Sequence, residues 1–219
     1  MNPWLAGRLA ALLDPLVWRT RAQRARRFRS FALAEDGSRL DLLLAANGTD
    51  DPERAARYLQ HALDEARHAR MFWRAARRED PGVAPVRADA DRLYERLGEA
   101  GFLAFVHRGE ARGCAQFAQY RAWFAERDPR TAAMLANILE DERRHEAYTR
   151  ELLAQVAGEP AVGGLLRRVA LHEAGRAWLR SGRALTRVLW TALVAPLYLA
   201  LAPVAWLTRR LRPPRAGWR

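Results

Sequence analysis

Two glutamates in this 219-residue chain stand three positions ahead of a histidine, Glu65 before His68 and Glu142 before His145. Three residues is nearly one turn of α-helix, so each Glu and His leave the same face and can reach one metal together. Each pair also follows an earlier glutamate at almost the same distance: Glu35 precedes Glu65 by 30 positions, and Glu110 precedes Glu142 by 32. An antiparallel hairpin with arms of about fifteen residues returns such positions to one level. Four carboxylates and two imidazoles at one level form a set for two divalent cations. Mixed oxygen and nitrogen donors with open positions suit Fe or Mn better than a closed zinc site. The candidate metal-ligating and catalytic residues are therefore Glu35, Glu65, His68, Glu110, Glu142 and His145.

The elements that must carry them read as helices throughout. Strand-like alternation is absent, and Pro and Gly gather at a few turn-like places. Helices are expected over about 28–46, from Pro52 to about Arg78, over 100–127 and over 130–157. Asp50 or Asp51 ahead of Pro52, and Asp128 ahead of Pro129, are cap-and-proline signals. Asn47-Gly48, Asp80-Pro81-Gly82 and Gly158 close helices, and residues 79–99 read as a long connection with a short helical piece. Short turns make antiparallel neighbours, and a long central link lets the second pair pack across the first. The candidate ligands share stripes with apolar residues: Phe28, Phe31, Ala32 and Leu42 beside Glu35; Tyr58, Ala62, Ala69 and Phe72 beside Glu65. Leu103, Val106, Gly113 and Phe117 accompany Glu110, and Leu135, Ile138 and Leu139 accompany Glu142. Carboxylates aimed into such an interior are costly, by several kcal/mol each, unless a cation compensates them.

With these residues in place, the chain resembles the ferritin-like di-iron carboxylate superfamily, in which two helices give one Glu each and two give Glu-x-x-His. The likeness covers about residues 28–157. It implies an all-α fold, a ferritin-like four-helix bundle with a long central connection, here with terminal apolar helices. It also implies Glu35 and Glu110 as the single-Glu ligands, Glu65 and Glu142 as bridging ligands, and a cofactor of two Fe ions, with Mn or a mixed Fe/Mn pair as alternatives. Rubrerythrins and ferritins share the motif. The spacing and the attached apolar segments look most like the demethoxyubiquinone hydroxylases. The single cysteine, Cys114, excludes the four-cysteine iron site that rubrerythrins carry, and also an internal disulfide.

Other residues carry weaker expectations. His61 and His107 fall about one turn ahead of Glu65 and Glu110, as supporting histidines rather than direct ligands. Tyr58 and Tyr148 are expected as core tyrosines with satisfied hydroxyls, and Cys114 as a small buried residue. Glu140, Asp141 and Glu146 are expected in solvent; Glu146 is the alternative to Glu142, and Asp41 the alternative to Glu35.

The net charge of +12 sits in the flanks. Residues 1–31 hold seven Arg and one Asp, residues 180–219 hold eight Arg and no acid, and the middle is slightly acidic. Both flanks adjoin apolar, Trp-containing runs, which suits an anionic membrane surface and argues against nucleic acid. Residues 1–27 read as a basic amphipathic segment, with a short apolar helix over 4–17, and residues 158–219 as a helical, membrane-associating segment. Val188 to Leu207 is a run without charge, flanked by Trp190, Trp206 and arginines. A helix of that length matches the roughly 30 Å of a bilayer core, although Pro196 and Pro203 would kink it. It either spans the bilayer or lies in the interface; the alternative is a fifth helix packed on the bundle or on a second copy in a homodimer. The expected location is the membrane, with the bundle on the cytoplasmic side.

The function these features point to is a membrane-associated di-iron oxidoreductase using O2 on a lipophilic, quinone- or lipid-like substrate, with an external electron donor. Two alternatives stand beside it: an iron-handling or peroxide-scavenging ferritin- or rubrerythrin-like protein, and a non-enzymatic membrane-attached helical adaptor.

Overall fold

The computed structural model describes residues 17–210; within its last helix, a subset of side chains from residue 176 onward lies outside the described set. The apolar segment expected over 4–17 and the arginines beyond 210 fall almost wholly outside it. Among the described residues the chain is all-helical, without strands. Helix α1 is Arg21–Gly48, α2 Pro52–Glu79, α3 Leu93–Phe124, α4 Pro129–Ala157 and α5 Glu159–Arg210.

The helix starts follow from their caps. Asp51 accepts hydrogen bonds from the Glu53 and Arg54 amides at 2.9 and 3.0 Å, with Pro52 leading α2. Asp128 accepts from the Thr131 amide at 3.1 Å ahead of Pro129. Helix α1 begins at Arg21 rather than near 28, because Thr20 and Gln23 form a reciprocal capping box. Trp18, Ala25 and Phe28 bury along its start, and Arg24 pairs with Glu79 at 2.9 Å. The third helix also starts earlier than expected. Asp41 of α1 accepts from the amides of Asp91 and Leu93 at 3.3 and 3.1 Å, so a neighbouring helix supplies the carboxylate at this helix start. Gly98 then interrupts α3 with a φ of +68°, a conformation only glycine adopts readily.

Helix α1 packs along α2 and α3 along α4, giving two hairpins; α1 also meets α3, and α2 meets α4. The connection over residues 80–92 is pinned to α1 at Asp41 and at Asp36, which accepts from the Ala88 amide at 2.9 Å. This bundle-like body has two apolar layers. One gathers Trp18, Phe28, Phe72, Phe117, Tyr120 and Phe124; the other gathers Leu42, Tyr58, Phe102, Leu103, Leu152 and Leu153. On each of the four helices, every expected ligand lies between these layers in sequence. The hydrophobic effect that closes the bundle thus also seals its middle from water at both ends.

Contacts divide the chain into two units, one ending at Val169 and one beginning at Ala170. In the first, Val162, Leu165, Leu166 and Val169 at the start of α5 pack on the second apolar layer. In the second, Trp178, Leu189, Trp190, Tyr198, Leu201 and Trp206 are exposed. Among the described residues, no helix is long and apolar enough to cross a membrane.

Candidate metal centre

All six expected ligands meet in the middle of the bundle. Glu35, Glu65, His68 and Glu142 form one group, and Glu65, Glu110 and His145 join His61 in another; within each group the donor atoms all lie within 4.8 Å of one another. Glu65 belongs to both. Glu65, His68, Glu110, Glu142, His145 and His61 are buried, His68 completely, and Glu35 is half-buried.

Each motif histidine is held from behind by a carboxylate of the opposite hairpin. His68 Nε2 donates to Asp141 Oδ2 at 3.0 Å, and His145 Nε2 donates to Asp64 Oδ2 at 3.1 Å. Fixing the proton at Nε2 leaves the lone pair on Nδ1. His68 Nδ1 then faces Glu142 Oε1 at 3.5 Å and Glu65 Oε1 at 3.8 Å, while His145 Nδ1 faces Glu65 Oε1 and Glu110 Oε2, both at 3.7 Å. Four buried atoms here have no hydrogen-bond partner: His68 Nδ1, His145 Nδ1, Glu65 Oε2 and Glu142 Oε1. Lone pairs converging on lone pairs in a dry interior repel one another unless a cation lies between them. Donor atoms sharing a cation at about 2.1 Å stand roughly 3–4 Å apart, the spacing of the four histidine–glutamate approaches just given. These buried His and Glu groups could hold metal ions, and the donor chemistry fits.

Electrostatics agree. Burial first, and then the neighbouring glutamates, push Glu65 and Glu142 well above the ordinary carboxylate range; burial also raises Glu35, against a hydrogen bond from Glu65 that lowers it. Glu35 neighbours Glu65, and Glu142 neighbours Glu110, closely enough for each to act on the other's proton. Burial and the surrounding histidines and Arg144 hold His61 well below its ordinary value. Asp141 behaves oppositely. Burial raises it, but hydrogen bonds from His68, Arg144 and Arg67 outweigh that and bring it down to about 2. Arg67 bridges Asp64 at 2.9 Å and Asp141 at 2.5 Å, and Arg144 also pairs with Asp141.

Gly113 permits this packing. A Cβ there would collide with Glu142 Oε2, so the α3 backbone approaches the glutamate directly. Beside it a cavity of about 580 Å³ opens between α1 and α3. Phe31, Phe102, Phe105, Val106 and Phe117 line it, Gly109 and Gly113 give it width, and Glu35, Glu65, Glu110 and Glu142 all reach its wall.

The weaker candidates separate cleanly. Asp41 tethers the start of α3 and is absent from both donor groups. Glu146 is absent from them too; its carboxylate meets Cys114, and burial together with that contact pushes the thiol up to about 12. His107 Nδ1 donates to the Glu146 carbonyl at 3.1 Å. Tyr58 donates to Glu99 at 2.9 Å. Tyr148 lies 2.5 Å from His61 Nδ1. Asp141, expected in solvent, is buried against His68, and Asp64, outside the expected set, is its counterpart behind His145. Their signal was present: residues 64–68 and 141–145 both read Asp-Glu-x-Arg-His, which extends the Glu-x-x-His likeness to the carboxylate and the arginine that support it.

Comparison with protein-family models, with curated proteins and with solved structures gives no match. The chemistry therefore rests on this geometry.

Proposed function

We propose that the chain is a ferritin-like four-helix bundle holding two iron ions, and that it acts as a membrane-associated oxidoreductase using O2 on a lipophilic, quinone- or lipid-like substrate. The observation that carries this is the cavity: its apolar wall ends on all four expected glutamates, so an organic molecule seated there lies against the metal site. Glu35, Glu65, His68, Glu110, Glu142 and His145 would hold the pair, which supplies two electrons and open coordination positions for O2 chemistry. Asp64 and Asp141 keep the histidine Nε2 protons in place, so that each Nδ1 lone pair stays aimed inward. Glu65 and Glu142, whose carboxyls burial raises, would have to give up any bound protons to a metal held there. The two apolar layers exclude water above and below the site. An external donor returns the electrons. Exposed Leu189, Trp190, Leu201 and Trp206, with the basic flank, support attachment to a lipid surface that delivers the substrate.

One observation favours the iron-handling alternative: the carboxylates lining the cavity, Asp41, Asp89 and Asp91 with the four glutamates, outnumber its two arginines, Arg87 and Arg112, a balance that favours cations. Anaerobic Fe(II) loading followed by O2, with and without a short-chain quinol-like substrate, separates the readings. Oxidised product formed in proportion to O2 consumed supports the oxidoreductase. Continuous Fe(II) or peroxide turnover with no organic product supports the alternative, and failure to bind two metals per chain leaves only the adaptor.

A further inference from the structure

The expected ligand set treats the two metal positions as equivalent, with one histidine each. The structure carries a third buried imidazole of the same construction. His61 lies one helical turn before Glu65 on α2 and is 1% exposed. Its outer nitrogen, Nδ1, is 2.5 Å from the Tyr148 hydroxyl of α4, just as His68 and His145 have their outer nitrogens tied to Asp141 and Asp64 across the hairpins. Its inner nitrogen, Nε2, points into the cluster, 3.1 Å from Glu65 Oε1 and 3.5 Å from Glu110 Oε1. The ring stacks on His145, centroids 3.7 Å apart and planes 29° apart, which brings two imidazoles to one side of one position. Beside it, His145 Nδ1 and Glu65 Oε2 are buried without partners, so the position asks for a cation rather than for one more hydrogen bond.

Resting on the metal-binding reading above, we infer that His61 is a third histidine ligand, bonding through Nε2 and oriented by Tyr148, so that the two metal positions are chemically unequal. One position offers three carboxylates and a single imidazole, from Glu35, Glu65, Glu142 and His68. The other offers two carboxylates and two imidazoles, from Glu65, Glu110, His61 and His145. Oxygen-rich sets suit Mn and Fe, whereas added imidazole shifts preference toward later first-row metals. The imidazole-rich position is therefore the one that fills first with cobalt or zinc. Tyr148 acts as a positioning residue: its oxygen accepts the Nδ1 proton, which leaves the Nε2 lone pair for the metal.

The test is proton NMR of the full chain loaded with Co(II) and labelled with nitrogen-15 histidine, because each imidazole bonded to cobalt gives one strongly displaced N–H resonance. With two cobalt ions bound, wild type shows three such resonances, and His61→Gln, whose amide can still hydrogen-bond to Glu65, shows two. Tyr148→Phe keeps all three, but one of them exchanges with solvent faster. Two resonances in wild type at two cobalt per chain, unchanged in His61→Gln, would overturn the inference, reduce His61 to a hydrogen-bond donor on Glu65, and leave the metal-binding reading intact. No cobalt uptake at all overturns both. The wild-type count and the Tyr148→Phe exchange rate decide the matter even if His61→Gln does not fold.

Discussion

At the scale of single residues, the site is governed by what the carboxyl groups hold when metal is withheld. Glu35, Glu65 and Glu142 are raised from an ordinary value of 4.5, so the native metal-free chain binds more protons than the unfolded one above that pH, and stability falls as pH rises. His61, lowered from 6.5, works the other way only below 6.5, where its unfolded form takes up a proton that the native form refuses. Three raised carboxyls oppose this single imidazole. Chelator-treated protein should therefore show a melting temperature that declines as pH rises above the ordinary carboxylate range, while metal-loaded protein should not. Calorimetric loading in buffers of different ionisation enthalpy should record net proton release; a pH-independent melt of the metal-free chain would contradict the placement of these carboxyls. Asp141→Asn should weaken metal affinity about 10- to 100-fold by loosening His68 while all six expected ligands remain, as measured by competition with a chromophoric chelator. Glu65→Ala or His145→Ala should lose two-metal binding outright and keep most helicity by circular dichroism. The convergence of these six residues was legible because each Glu-x-x-His pair leaves one helix face and each single Glu precedes its pair by the length of a hairpin. Asp141 was not, since its neighbours Glu140 and Arg143 made the stretch look like a solvated helix face, and only the opposite hairpin reveals what it touches.

Elements position these groups through caps and close approaches. Asp51-Pro52 and Asp128-Pro129 announced two helix starts in the sequence, because a cap is a local interaction between neighbours. The start of α3 was hidden, because the carboxylate that holds it belongs to Asp41, on another helix. The start of α1 was signalled by Thr20 and Gln23, but the arginine-rich stretch around them masked the buried faces of Trp18 and Ala25. The two glycines of α3 give a paired prediction. Gly109→Ala meets nothing within 4 Å and should stabilise the fold by up to about 1 kcal/mol through helix propensity. Gly113→Ala gains the same propensity but drives Glu142 from its seat, and should lower metal stoichiometry despite a comparable melting temperature. Gly109→Phe should fill the cavity, leaving metal content unchanged and removing turnover of an organic substrate. Retained turnover in that variant would place the substrate elsewhere.

For the molecule as a whole, the charge asymmetry and the exposed Trp190, Tyr198, Leu201 and Trp206 lead to a prediction about surfaces. The full chain should sediment with vesicles rich in anionic lipid, and less so as salt rises, since the arginine contribution is screened within about a Debye length. Removing residues 180–219 should abolish sedimentation; persistence would assign the attachment to the amino-terminal segment. The crossed hydrogen bonds, Asp141 to His68 and Asp64 to His145, have a further effect during synthesis. Neither hairpin can finish a half-site alone. A ribosome adding about 5–20 residues per second spends several seconds between His68 and His145, and for that interval the emerging amino-terminal half has no buttressed imidazole with which to seize a stray ion. Under the proposed function, metal selection falls to the completed polypeptide.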